Sequence, residues 1–194
     1  MIVIENAIDE HLLEAVYANF PSEEWNGWHH YSDKDAEKYG SKPYPELFPH
    51  TLFPSCVAPA LYSLAEKVSP YIVKDCFPDF DTYGSGLHML KPGGYLRPHL
   101  DSSVHPLTGW KREYSCVLFC NKNWERKDGG CFGMTNQTQT VLPIWNTIVL
   151  FRTTEDSVHW VSKITGDKTR KSISLFYWSK EQPKDPTRNK AKFL

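Results

Sequence analysis

The chain has 194 residues, 40% of them hydrophobic and 23% charged, with a formal net charge of -1 at pH 7. These values are near globular averages and suit one domain with a real core. The near-neutral balance argues against a general nucleic-acid binder, and no run approaches the roughly 18 apolar residues of a membrane span, so neither nucleic acid nor membrane is an expected partner.

The start, Met1-Ile2-Val3-Ile4-Glu5-Asn6, has no basic stretch and no long apolar one, so no secretory leader is expected. Cys56, Cys76, Cys116, Cys120 and Cys131 are odd in number and lack framework spacing. Together these features read as a cytoplasmic protein with free thiols. Cys116 and Cys120 could form a zinc pair, but two such side chains on one strand face read as core.

Asp9 is placed to cap a helix over residues 10–20, with Leu12, Leu13, Val16, Tyr17 and Phe20 on one face before Pro21 stops it. Residues 21–56 carry many Pro, Trp, Tyr and His with little period and read as a long loop region, often a functional feature. A second helix fits residues 57–69, with Leu61, Leu64, Ala65 and Val68 as its buried stripe and Pro70 after it.

From Gly84 the pattern changes to short strands with turn punctuation. The candidates are Gly86–Leu90, Tyr95–Leu100, Tyr114–Cys120, Gly130–Met134, Gln139–Leu142, Thr147–Phe151, Val158–Val161 and Lys171–Trp178. Strands so spaced indicate a mainly β sandwich or barrel with N-terminal helices bracing one face. The expected organisation is a single domain over 1–194. Residues 1–83 give helical and loop support and a substrate face, 84–178 the catalytic core, and 179–194 a basic tail, mobile or surface-hugging, its charges solvated.

The chemistry is carried by His99-Leu100-Asp101, by His159 and by Arg170. Side chains two apart on a strand point the same way, so His99 and Asp101 can reach one metal from a single strand end. His159, on a later strand, supplies a third donor. Two imidazoles and a carboxylate form the facial triad of non-haem Fe(II) oxygenases, although Zn, Ni or Co would also accept these ligands. A permanently charged, two-pronged guanidinium suits a carboxylate, so Arg170 is the candidate for a keto-acid co-substrate. Lys171 alternates to the other face, whereas Ser172 and Ser174 share Arg170's.

Leu90-Lys91-Pro92-Gly93-Gly94-Tyr95-Leu96-Arg97-Pro98-His99-Leu100-Asp101 resembles a strand pair of the prolyl-4-hydroxylase-like Fe(II)/2-oxoglutarate dioxygenases. Cys120-Asn121-Lys122-Asn123-Trp124 with Gly129-Gly130, the strand Asn146–Phe151, and Arg170-x-Ser172-Ile173 are similar to further segments of that family. The resemblance covers about residues 84–178. It implies a double-stranded β-helix (jelly-roll, cupin-like) core, with Fe(II) on His99, Asp101 and His159. It also implies 2-oxoglutarate on Arg170 with help from Ser174, O2 as the other co-substrate, and ascorbate as a stimulant. The implied reaction is hydroxylation of an unactivated C–H, with release of succinate and CO2, on a protein side chain such as prolyl or on a small metabolite.

Two places depart from the pattern: Leu90 and Phe119 stand where many relatives carry a tyrosine whose hydroxyl helps hold 2-oxoglutarate. Tyr95, His88 and Tyr114 are the candidates to compensate. Arg97 and Arg112 are candidate substrate contacts, and His105 reads as a turn residue or a support behind the metal ligands rather than a ligand. The aromatics Trp25, Trp28, Tyr31, Tyr39 and Tyr44 could hold a peptide, a sugar or a nucleotide-like molecule, but each reads first as a loop anchor. The competing classes are a non-catalytic cupin-like metal or ligand sensor, supported by the missing tyrosines, and a zinc isomerase or hydrolase, which gives no reason for Arg170.

Overall fold

The computed structural model describes residues 1–47, 53–73 and 75–194. In chain order β1 is Ile2–Glu5, α1 Glu10–Ala18, β2 Trp28–Ser32, β3 Ala36–Ser41, α2 Tyr44–Leu47, α3 Ala58–Val68, β4 Phe77–Pro78, β5 Gly86–Leu90 and β6 Tyr95–Leu100. Then come β7 Lys111–Phe119, β8 Phe132–Met134, β9 Thr147–Arg152, β10 His159–Val161, β11 Arg170–Ser179 and β12 Lys192–Phe193. The hydrogen-bonded path runs β1-β9-β7-β11-β5-β3-β6-β10-β8. β9 and β8 lie near opposite ends of that path, yet the rings of Phe151 and Phe132 meet with centroids 5.6 Å apart. The antiparallel sheet therefore curls back on an enclosed interior, the expected jelly-roll form.

Alternation along the central strands assigns two faces. Tyr114, Cys116 and Leu118 of β7, Ile148 and Leu150 of β9, Ile173, Leu175 and Tyr177 of β11, and Leu87 and Met89 of β5 pack with α1 and α3 in one apolar core. The intervening side chains point into the curl, Phe119, Val149 and Phe151 among them, where they meet Phe132 and Met134 of β8. Cys116 and Cys120 belong to the helix-side core, and burial pushes both thiols up, that of Cys120 to about 12. They pack as small apolar side chains, as expected.

The helices form where the apolar spacing places them. Asp9 Oδ1 accepts from the backbone N–H of His11 (2.9 Å) and Leu12 (3.2 Å), and Leu13 and Val16 are fully buried. In α3 the buried stripe is Ala60, Leu61, Leu64 and Val68.

Three expectations need correction. Much of the loop read over 21–56 is the β2–β3 hairpin followed by α2, while residues 48–52 lie outside the described residues. The hairpin is illegible because β2 is exposed over His29–Ser32 and so has no apolar period. β3 pairs with β2 over Glu37–Ser41 and is held from its other edge by β5 at Tyr39 and Gly40 and by β6 at Ala36 and Glu37. Gln139–Leu142 forms no strand, only a bridge from Val141 to Phe132. The tail takes the surface-hugging alternative, β12 pairing with Leu100 and His99 of β6, and one of its charges is not solvated: Arg188 is buried with its guanidinium 2.7 Å from Glu155.

Candidate metal centre

β6 delivers His99, with Asp101 just past its end, and β10 begins at His159, which is registered directly opposite His99. The two imidazole centroids are 4.2 Å apart. Each Nε2 lies 3.7 Å from Asp101 Oδ1. One donor atom from each of the three falls within 4.8 Å of the others, and this is the one such group of three or more His, Cys, Asp or Glu side chains among the described residues.

The residues around the triad fix its chemistry. His99 Nδ1 is 2.9 Å from the Arg97 carbonyl and His159 Nδ1 is 2.9 Å from the Ser157 carbonyl. A carbonyl only accepts, so each ring carries an N–H at Nδ1, which leaves Nε2, the nitrogen that faces Asp101, as the one to offer a metal. Two neutral imidazole donors and one carboxylate oxygen, buried at the end of adjacent strands, fit a divalent metal that retains open positions.

Asp101's other oxygen is occupied. Oδ2 accepts from Ser115 Oγ at 2.8 Å and from Arg112 Nη1 at 3.1 Å. Burial alone would raise the Asp101 carboxyl, but Arg112, His159 and His99 outweigh it and hold the group well below the usual range. Arg112 does not face outward as a substrate contact. It stacks on Phe176, 3.6 Å from the ring centroid, and donates to Ser102 Oγ at 2.7 Å. Its position behind the carboxylate makes it a positioning residue, and Arg112→Met is expected to lower Fe(II) affinity by about 10- to 100-fold in a metal titration. Arg97, by contrast, is exposed and pairs with Asp35 at 3.2 Å.

Burial lowers the His159 pKa to about 4, although Asp101 pulls it the other way, and burial holds His88 well below its ordinary value. In the unfolded chain both titrate near 6.5. Between that value and about 4 the unfolded state therefore binds more protons than the folded one, and stability falls as the pH falls. Acid titration of the metal-free protein, followed by circular dichroism, should show this loss beginning near pH 6.5, at on the order of 1 kcal/mol per pH unit for each group.

Arg170 opens β11. Asn121 Oδ1 accepts from the Lys171 N–H at 2.7 Å while its Nδ2 donates to the Lys171 carbonyl at 3.1 Å and to that of Pro143 at 2.8 Å. This clamp explains the asparagine of the Asn121-Lys122-Asn123-Trp124 turn. Trp124 Nε1 then donates to Gly129 O at 3.0 Å. Gly130 has φ +67°, and a Cβ there would come 2.5 Å from Ile164 Cδ1 and 3.1 Å from Arg170 Cδ. The second glycine thus clears the volume that the arginine fills.

Arg170 is 3% exposed. Its Nε donates to Gly130 O at 3.0 Å, its Nη1 lies 3.5 Å from Ser172 Oγ, and its guanidinium sits 4.9 Å from the Phe119 ring centroid. Burial lowers its pKa to about 10, and among the described residues no carboxylate pairs with it. Ser174 lies four residues beyond Arg170 on the same face, opposite Gly86 and Val117. Lys171 turns to the other side, against the rings of Tyr17 and Phe20.

Of the residues read as compensating for Leu90 and Phe119, Tyr114 faces the helix-side core and Tyr95 donates outward to Asp33 O at 3.0 Å. His88 alone points into the curl. His105 is the turn residue expected, its Nδ1 accepting from the N–H groups of Leu107 and Thr108 at 3.2 Å each. Sequence reasoning missed Lys38, which sits in the unrecognised hairpin, and Phe193 of the tail, whose ring lies 5.2 Å from that of His99.

The sequence pattern of the 2OG-Fe(II) oxygenase superfamily matches residues 85–178, the segment holding all three triad residues and Arg170. No curated protein matches the chain. Among solved structures, a Pseudomonas putida prolyl-4-hydroxylase superposes with a TM-score of 0.62 at 16% identity, covering 92% of this chain and 91% of that one. A prolyl hydroxylase from Trichoplax adhaerens, in complex with a hypoxia inducible factor oxygen degradation domain peptide fragment, gives 0.60 at 14%, covering 92% and 83%. The viral collagen prolyl hydroxylase of Paramecium bursaria Chlorella virus-1, as its 2OG complex, gives 0.59 at 10%, covering 92% and 94%. At these identities the likeness concerns the fold. Among the described residues no helix is long and apolar enough to cross a membrane.

Proposed function

We propose, from the premise that this chain is a 2-oxoglutarate/Fe(II)-dependent oxygenase of the 2OG-Fe(II) oxygenase superfamily, that it hydroxylates an unactivated C–H bond and releases succinate and CO2. The observation that carries this reading is the combination of the His99–Asp101–His159 group, its imidazoles buried, with Arg170, a buried cation that has no counter-charge among the described residues. A metal and a dicarboxylate together satisfy both.

In this reading His99, Asp101 and His159 hold Fe(II), and Arg170, with the serines of its strand face, takes the carboxylate of 2-oxoglutarate remote from the metal. When bound, the pair supplies the oxidation: O2 is consumed, 2-oxoglutarate loses CO2 to become succinate, and one oxygen atom enters the substrate. The chain's own residues position and shield. Arg112 and Ser115 keep Asp101 ionised and fixed in orientation, while Phe151 and Phe132 pack against the His159 ring at 4.8 and 5.5 Å and keep water from it.

The prime substrate is read as a protein side chain such as prolyl, or a small metabolite. The peptide in the Trichoplax structure supports trying prolyl peptides first. The whole chain is read as one domain, and its five free cysteines suit a reducing, cytoplasmic setting.

The test is succinate formation from 2-oxoglutarate by purified protein with Fe(II), air and ascorbate as expected stimulant, with His99→Ala as control. Slow turnover that vanishes in the variant supports the oxygenase. A protein that binds Fe(II) but neither binds nor consumes 2-oxoglutarate refutes it in favour of a second reading, the non-catalytic sensor. That second reading draws its support from Leu90 and Phe119, which bring no polar side-chain atom to the neighbourhood of Arg170.

A further inference from the structure

The inward side chains of β3, β5, β11 and β7 lie in cross-strand rows. One row runs Gly40, His88, Ser172, Phe119. The next holds Leu90 opposite Arg170. A Cβ built on Gly40 would stand 3.7 Å from the His88 imidazole, so that side of β3 looks at His88. Lys38, two residues away, shares the same side and falls beside the Leu90–Arg170 row.

Lys38 and His88 are both short of partners. Lys38 makes no hydrogen bond or ion pair with the described residues, and its one contact is the face of Tyr31, 5.3 Å from the ring centroid. His88 Nε2 is buried without a hydrogen-bond partner. Asp101 is the one carboxylate whose charge both groups feel, and Arg112 already engages it. The interior between Asp101 and Arg170 thus holds two cations, Lys38 and Arg170, and an unpartnered imidazole nitrogen, with no further anion among the described residues to pair them. Arg170 is buried and Lys38 half-buried, and unpaired charge so placed is costly unless a ligand supplies the counter-charge. Leu90 and Phe119 lie among these groups and contribute no polar atom, so Arg170 and Ser172 would otherwise act alone.

We propose that Lys38 and His88 join Arg170 in one subsite for the carboxylate of 2-oxoglutarate that lies away from the metal. The proposal rests on the reading of 2-oxoglutarate as co-substrate. Lys38 contributes charge from the β3 side, and His88 donates an N–H from β5 beside Ser172.

The test is anaerobic calorimetry of the Fe(II)-loaded protein with two keto acids: 2-oxoglutarate, and 2-oxobutyrate, which keeps the 2-keto acid end and lacks the second carboxylate. Lys38→Met and His88→Leu are each expected to weaken 2-oxoglutarate by about tenfold or more, the scale of a charge-assisted hydrogen bond. Affinity for 2-oxobutyrate should stay within about twofold of the parent. His88→Gln, which retains an N–H donor, should recover part of the loss. Lys38 is half-buried and makes no hydrogen bond with the described residues, so Lys38→Met keeps the test decisive should His88→Leu fail to fold. Affinity for 2-oxoglutarate unchanged by Lys38→Met, or equal losses for both keto acids, overturns the proposal. Failure of the unsubstituted protein to bind 2-oxoglutarate would instead overturn the co-substrate reading beneath it.

Discussion

Asp101→Ala is expected to abolish succinate formation and to lower Fe(II) affinity by more than about 100-fold, beyond what losing an outer partner such as Arg112 costs. The substitution also acts on stability, in a way that His99→Ala and His159→Ala do not. Arg112 is 4% exposed and pairs with Asp101 Oδ2 at 3.1 Å. Without the carboxylate its guanidinium becomes a buried charge left with Ser102 Oγ, two aromatic faces and the more distant charge of Asp79. Breaking a buried pair from one side typically costs about 3–5 kcal/mol. Replacing both members with apolar groups removes that cost, so Asp101→Ala combined with Arg112→Met should recover much of the unfolding free energy and none of the turnover. Denaturant unfolding and an iron titration on the two variants separate the effects. Succinate formation surviving in Asp101→Ala would remove the carboxylate from the metal site.

The legible parts of the sequence were those where one local rule acted alone. Asp9 followed by apolar residues at helical spacing gave α1, and β5 and β6 stand within the bounds their alternation set. His99, Asp101 and His159 were legible because strand geometry puts side chains two apart on one side, and because the strand order then brings β10 beside β6. What escaped depended on distant partners. β3 has the sequence Ala36-Glu37-Lys38-Tyr39-Gly40-Ser41, with no β-branched residue, and its extension rests on three partners, β2 in the hairpin and the more distant β5 and β6. Lys38 was invisible for that reason: on a loop it is one more solvated lysine, and on β3 it faces the interior. Arg112 followed the same logic in reverse, since nothing local shows that its strand turns it toward Asp101. The tail's lysines are exposed as read, whereas composition could reveal neither the burial of Arg188 nor the dock that β6 offers Phe193.

Arg170→Met should separate folding from co-substrate binding more cleanly than any other substitution. In the ligand-free protein Arg170 is a buried cation held by one carbonyl, one serine hydroxyl and the face of Phe119, with no carboxylate among the described residues. Methionine retains much of the unbranched stem and removes the charge. It leaves Gly130 O without its donor, a cost of about 1–3 kcal/mol, but also removes the larger penalty of an uncompensated charge. Unfolding of the metal-loaded, ligand-free protein should therefore change little, and in either direction. Binding should not be spared, because a two-pronged guanidinium–carboxylate contact is made only with the ligand present. The affinity for 2-oxoglutarate is expected to fall by about 100-fold, two charge-assisted hydrogen bonds being worth at least that. Metal affinity should be unchanged, since no triad atom is touched. At a 2-oxoglutarate concentration about 100 times the parent's dissociation constant, the parent gains about 2.7 kcal/mol against unfolding, and the variant should gain only a small fraction of it. A variant that kept the full gain would take the carboxylate away from Arg170 and leave its burial without an explanation.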